Sequence, residues 1–232
     1  RIAFSTRTPL GDPIHADCLE AVNVTVALCE ELGHKVDETT IDFNAELLWL
    51  SHVKLISAGV SWVLADWSRR IGRNCEELTE KDIEPFIMSM ADRGKSLSAA
   101  DYLLTVQDMQ KVSREVVRFF DQYDLWLTPT LGTPPPQLGT FRYKPGSDPF
   151  EARREMTKFS PFTFISNATG QPSASLPLYW NKKGIPIGIH ITGRYGNEDT
   201  LFEIAAQLEK HRPWAKQLDS LYASGPLGTV KT

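Results

Sequence analysis

The stretch NATGQPSASLPLYW, residues 167–180, is followed almost at once by GIPIGIHITG, residues 184–193. Both runs alternate as strands do, yet both carry prolines and glycines. A proline removes a ladder donor and a glycine gives up packing, so such residues mark places where backbone must come close to something else. The runs are joined by the hairpin-sized NKKG, whose Gly184 is available for positive φ. In the second run Ile185, Ile187, Ile189 and Ile191 take one face, while Pro186, Gly188, His190 and Thr192 take the other. The chain then passes through GRYG into a helix opened by Asn197, with Glu198 and Asp199 favourably placed in its first turn. Leu201, Ile204, Ala205 and Leu208 form its buried stripe, and Pro213 closes it.

Working outward, RIAFS at residues 1–5 reads as a strand with Ile2 and Phe4 on one face and Ala3 on the other. A helix is predicted from Ile14 to Leu32, stopped by Gly33. HKVDETTID supplies a second strand. Strand, helix and strand at this spacing predict a βαβ unit and hence parallel pairing. Residues 44–121 read as mainly helical. The segment 45–72 is apolar nearly all round, which predicts a well-buried helix or a broken pair. Thr79 with Asp82, and Ser98 with Asp101, stand at capping-box spacing. After the second box, Leu103, Val106, Met109, Val112, Val116 and Phe119 hold one face. DLWLTPT returns to a strand. The proline-rich segment 132–150 reads as a loop, and one so long is functional or disordered. Residues 151–170 predict a short helix, a break at Pro161 and a further turn. The tail, residues 222–232, reads as disordered.

Composition excludes several classes. A formal net charge of −4 and no Lys/Arg run argue against nucleic acid held by bulk electrostatics. No stretch reads as a roughly 20-residue uninterrupted apolar membrane span. The three cysteines fit no metal spacing and cannot all pair within the chain, which suits a reducing, cytoplasmic setting; Cys18 and Cys29 read as core. The five histidines lack ligand spacing, so no metal is expected, and His190 reads as structural. Ser160, Ser166, Ser173 and Ser175 lie near the opening motif, but spacing gives none of them a base. Cys75 has no identifiable base either. The chain opens on Arg1 already inside a strand, and it reads as cut rather than started.

The run Phe162-Thr163-Phe164 followed by NATGQPSASLPLYWNKKGIPIGIHITGRYGNEDTLFEIAAQLE resembles the C-terminal signature of the amidase-signature hydrolases. DLWLTPTLGTPPP resembles that family's late strand, and RIAFS with the helix ending LGHKV resembles its first unit after the catalytic region. The resemblance implies an α/β fold, a mixed sheet flanked by helices on both faces, with residues 1–232 forming the C-terminal half of one domain. It implies an amidase that cleaves a carboxylic amide with a Ser-Ser-Lys triad and no cofactor. The catalytic residues would lie on the N-terminal half, so none is expected in this chain. Among general amidases, the wording is similar to those that open linear or cyclic oligoamides. The expected partners are a small-molecule amide and the missing N-terminal half, with no nucleic acid and no membrane; a homodimer stays open. Residues 44–121 and 159–169 would shape the acyl pocket, with Phe162, Asn167, Thr169 and Trp62 (or Trp67) as its substrate-binding walls. Two rivals are an inactive amidase-derived scaffold and the A subunit of a tRNA-dependent amidotransferase. A sheet left unpaired on one side would make the isolated chain prone to aggregation.

Overall fold

A computed structural model describes residues 1–79 and 81–224. Five strands form one mixed sheet in the order β2-β1-β3-β5-β4. They are β1 (Ile2–Phe4), β2 (Val36–Glu38), β3 (Leu125–Pro129), β4 (Ser173–Trp180) and β5 (Pro186–Gly193). β1 pairs in parallel with β2 and β3, whereas β5 runs antiparallel to both β3 and β4. The βαβ unit and the closing hairpin are both present. Asn181 locks the hairpin: its Oδ1 accepts from the backbone N–H groups of Lys183 and Ile185 at 3.0 Å, and Gly184 takes φ 71°.

Strand alternation gives the sheet two unlike faces. On one, Ile2, Leu125, Leu127, Leu176, Ile187, Ile189 and Ile191 meet Cys18, Val22 and Cys29 of α1 (Ala16–Glu31) and Leu201, Ile204 and Leu208 of α7 (Glu198–His211). On the other, Ala3 and Trp126 meet α2 (Ala45–Ile71), α3 (Pro85–Lys95), α4 (Ala99–Phe119) and α6 (Thr163–Thr169). Ile2 and Phe4 share the first face and Ala3 takes the second, as alternation requires. α5 (Pro149–Phe159) follows the long loop, with Asp148 as its N-cap and Pro149 in its first turn. A final helix, α8, spans Ala215–Ser224.

Local chemistry accounts for most helix ends. His15 caps α1 by accepting from Asp17 N–H at 3.1 Å, and Gly33 beyond the helix adopts φ 89°. Ser98 and Asp101 form the reciprocal box that opens α4. α6 closes on Gly170 at φ 76°.

Several expectations are corrected. Thr79 and Asp82 do bond each other, but they close a turn; α3 starts later, at Pro85, whose fixed φ suits a first helical position. Asn197 sits at the N-cap of α7 without a side-chain capping bond. Leu103 is exposed, because the first turn of α4 extends past the layer that covers Val112 and Val116. α2 is one unbroken helix, but it is well buried only over its first half; Trp62, Val63, Trp67 and Ile71 face outward. By length and composition α2 is apolar enough to cross a bilayer, contrary to the reading of the whole chain, although its first half packs into the core. Residues 222–224 of the predicted disordered tail belong to α8, and the remainder lies outside the described residues.

Candidate functional site

The helix after β1 covers one sheet face, and the helices leading to β3 cover the other. The carboxyl ends of β1 and β3 therefore form a topological switch point, where open α/β sheets bind ligands. The loops leaving these two ends are tied together. His15 N–H donates to Gly132 C=O at 2.8 Å, and Arg154 of α5 bonds Asp12 at 2.8 Å in a largely buried ion pair.

Register then builds a polar surface beside this point. On the sheet face opposite the aliphatic core, Trp126, Thr192 and Ser173 stand directly opposite one another across β3, β5 and β4. Thr128, His190 and Ser175 make the next row. Thr130 completes the patch just past β3, where its N–H donates to Gly188 C=O at 3.0 Å. Its hydroxyl bonds Ser175 Oγ at 2.7 Å across the top of Gly188. A Cβ on Gly188 would fall 2.8 Å from each of these hydroxyl oxygens, so only glycine lets the two meet. The first row is closed by α6: Ser173 donates to Ser166 Oγ at 2.7 Å and bonds Thr192 Oγ1 at 3.1 Å.

The close approach that Pro and Gly mark is met within this chain. Gly188 admits two hydroxyls of this chain, and Pro186 opens β5. Pro177 sits where β4 gains one residue against β5, a bulge between Leu176 and Tyr179. Among the described residues β4 pairs on one side only, so the polar patch ends on an unpaired strand edge.

His190 is 5% exposed, and burial lowers its pKa to about 4, so the imidazole is neutral at neutral pH. Its Nδ1 lies 3.5 Å from Thr192 Oγ1, a contact too long for a firm hydrogen bond. The pair is a poor candidate for nucleophile and base, since so weak a base would barely activate a hydroxyl. Two buried donors, Trp126 Nε1 and Thr128 Oγ1, have no hydrogen-bond partner among the described residues.

The burial of His190 sets an acid response. The unfolded chain binds a proton near the ordinary histidine value of about 6.5, whereas the folded chain does so only near 4. Stability is therefore lost as pH falls below the unfolded value, and the loss levels off below the folded one. Between pH 7 and 5 the loss from His190 is about 2 kcal/mol. His52, half-buried beside Phe164, has its pKa lowered to about 4 by partial burial and by the Arg153 charge, and acts in the same direction. Urea titrations at the two pH values are expected to show this loss, with a smaller one in His190→Gln. Equal pH slopes in the two proteins would contradict the assignment.

Of the residues nominated from sequence, Phe162, Asn167 and Thr169 lie in or at the start of α6, and Trp62 stands apart on α2. Phe162 is fully buried, edge-on to Trp126 at 5.9 Å. On α6, Asn167 is exposed, and Thr169 bonds Ile165 C=O at 2.9 Å and Gln171 Oε1 at 3.1 Å. Trp62 is 67% exposed on α2, about 15 Å along the helix from His52, which packs on α6. Trp67 is also exposed, with Arg70 over its ring. Of the four serines near the motif, Ser166, Ser173 and Ser175 join the polar patch, while Ser160 bonds Thr163. Cys18 and Cys29 are fully buried, and burial pushes their thiols up to about 11 and about 12. Cys75 contacts Ser68 at 2.8 Å.

Sequence reading missed a groove of about 730 Å³ beside the proline-rich loop, lined by Phe86, Leu138, Phe141, Tyr143 and Met156 among others. The loop holds its shape there through Phe141 on Phe159 at 5.3 Å and Tyr143 bonded to Ser89 at 2.8 Å. Phe141 and Tyr143, two residues apart in this loop, were the available signal.

A mixed sheet between helical layers is the α/β architecture shared with solved amidase-signature enzymes. The Amidase family model matches residues 1–202, and the chain belongs to that family. The 6-aminohexanoate-cyclic-dimer hydrolase of Pseudomonas sp. (strain NK87) is 28% identical over 229 residues, 95% of this chain and 46% of the hydrolase. The lipoamidase of Enterococcus faecalis is 26% identical over 227 residues, 90% of this chain and 31% of the lipoamidase. A solved structure of a 6-aminohexanoate cyclic dimer hydrolase superposes with a TM-score of 0.81 at 28% identity, over 92% of this chain and 45% of that one. The chain thus spans about half the length of the cyclic-dimer hydrolases it matches.

Proposed function

We propose that this chain forms the C-terminal half of an amide hydrolase, and that the groups doing covalent chemistry belong to the other half of the domain. The observation that carries this is the hydroxyl-lined face of β3, β5 and β4, which among the described residues ends on an unpaired strand edge in a chain that matches hydrolases over about half their length. The reaction is acyl transfer. A lysine takes a proton from a bridging serine, which in turn takes one from the nucleophilic serine. That serine attacks the amide carbonyl, backbone N–H groups hold the oxyanion, the amine leaves, and water hydrolyses the acyl-enzyme.

In this reading the chain builds walls and floor. Asn167 and Thr169 face the substrate from α6, Phe162 supports them from beneath, and Trp62 closes the outer side. The aromatic groove beside the proline-rich loop takes the apolar part of a linear or cyclic oligoamide. The protein works without a cofactor, in a reducing cytoplasm that agrees with Cys18 and Cys29 as buried thiols.

The test is fluorophosphonate labelling of the full-length enzyme, with the modified peptide located by mass spectrometry and amine release measured from 6-aminohexanoate cyclic dimer and aryl acylamides. The label is expected outside residues 1–232, together with hydrolysis of at least one amide. A stoichiometric label on a serine within these residues, or an enzyme that neither labels nor hydrolyses, would overturn the reading.

A further inference from the structure

Arg153 and Arg154 are neighbours on α5, and among the described residues they are the two arginines that are not exposed. Their surroundings differ. Arg154 pairs with Asp12 at 2.8 Å and lies 3.5 Å from Leu10 C=O, which ties α5 to the loop leaving β1 at the switch point. Arg153 has no ion pair, and its guanidinium makes no hydrogen bond among the described residues. Burial lowers its pKa, and no anion nearby offsets the effect. Taking a charge out of water without a counter-charge is unfavourable, so the place calls for an anion. A second group stands beside it. Trp49 Nε1 of α2 donates to Thr157 Oγ1 of α5 at 2.9 Å, and Thr157 in turn donates to Arg153 C=O at 2.8 Å. His52 is three residues past Trp49 and Arg153 four before Thr157, so each lies one turn from this pinned pair on the same face of its helix. The Arg153 charge reaches His52 across the crossing, and Phe164 of α6 flanks the imidazole with ring centroids 6.4 Å apart. The His52 ring nitrogens have no hydrogen-bond partner among the described residues.

We infer that Arg153, with the His52 imidazole beside it, is a subsite for a carboxylate carried by the substrate. The inference rests on the proposed amide-hydrolase reading and narrows its substrate to amides that also bear a carboxylate. A guanidinium presents its N–H donors in a planar fork that fits the two oxygens of a carboxylate, and a neutral imidazole adds one further donor. One fixed positive charge matches one negative charge, so the pair suits a carboxylate better than a phosphate dianion. Partial burial strengthens the attraction, because less water screens it. The Arg154–Asp12 pair holds α5 against the loop after β1, so the guanidinium is fixed at the end of the sheet where open α/β sheets bind ligands. Arg153 takes no part in bond-making here; it selects and orients what is cleaved.

The experiment measures kcat/KM in the full-length enzyme for two matched pairs of amides. Adipic acid monoanilide is set against hexananilide, and N-acetyl-6-aminohexanoate against N-acetylhexylamine, so the carboxylate is present or absent on either side of the amide. Wild type is expected to prefer the carboxylate member of at least one pair by about 10- to 10²-fold, the scale of hydrogen bonds to a charged group. Arg153→Gln is expected to bring that preference within about twofold. Arg153→Lys, which keeps the charge and loses the fork, is expected to leave part of it. Calorimetric binding of hexanoate, with hexan-1-ol as the uncharged control, tests the subsite without turnover. No preference in wild type, or a preference that Arg153→Gln keeps, would overturn the subsite. So would equal losses on both members of each pair with a lower urea midpoint, the result expected if Arg153 pairs with an acid of the other half. Should Arg153→Gln not fold, hexanoate bound by wild type no more tightly than hexan-1-ol would overturn the subsite alone. A folded enzyme that neither reacts with fluorophosphonate nor hydrolyses any amide would instead overturn the amide-hydrolase reading.

Discussion

Phe162→Ala is expected to destabilise the protein by about 3–5 kcal/mol, the range for emptying a fully buried aromatic site. The ring is 0% exposed and stands at 78° to the Trp126 indole, an edge-to-face pair at the centre of the core beneath α2, α4 and α6. Removing it takes away the apolar area, the ring–ring term of about 0.5–1.5 kcal/mol and the support for the first turn of α6. Because Trp126 lies in van der Waals range, tryptophan fluorescence during urea unfolding reports the loss at its source. Were Phe162 a surface wall that only touches substrate, the same substitution would raise KM and leave the urea midpoint in place. A destabilisation below about 1 kcal/mol would show that the ring does not fill the core as described.

Elements with one strong local signal were legible in the sequence. The β4–β5 hairpin followed from two alternating runs around NKKG, and α4 followed from Ser98 and Asp101 ahead of a long apolar stripe. The order of the elements carried the family resemblance, and with it the layered sheet. The site was harder to see, because it depends on register. Thr128, His190 and Ser175 are 62 and 15 residues apart in the chain, and only strand pairing places them in one row. His190 could be assigned to the small-residue face of its strand, yet nothing local showed that its neighbours would be an unpaired hydroxyl and an exposed one. Gly188 was visible as an oddity, but its cause, two hydroxyls from different strands, was not. The residues chosen from sequence as pocket walls differ in burial for a related reason. Being aromatic or near the motif does not tell a buried ring such as Phe162 from an exposed one such as Trp62.

Gly94→Ala is expected to destabilise the protein by about 3 kcal/mol, at the upper end of the cost of overpacking. In the sequence Gly94 ends the run MADRG. The structure places it inside α3, without the positive φ of a stop, against the backbone of α2. A Cβ there would lie 2.1 Å from Ser57 O and 2.5 Å from Ser57 C. Both are main-chain atoms of a helix, so no side-chain rotation relieves the clash and the two helices must move apart. That separation would also disturb Met90, whose Sδ lies 3.8 Å from the Ser57 hydroxyl, at the same crossing. Helix propensity alone favours alanine over glycine by about 1 kcal/mol, so the expected sign is opposite to the intrinsic one. Gly59, on α2 itself, supplies the control: a Cβ there meets nothing within 4 Å, and Gly59→Ala is expected to raise stability by up to about 1 kcal/mol. Paired urea titrations of the two variants separate propensity from packing. If Gly94→Ala matched Gly59→Ala, the close crossing of α2 and α3 would be wrong, and with it the route by which α4 is brought back to β3 beneath the polar face.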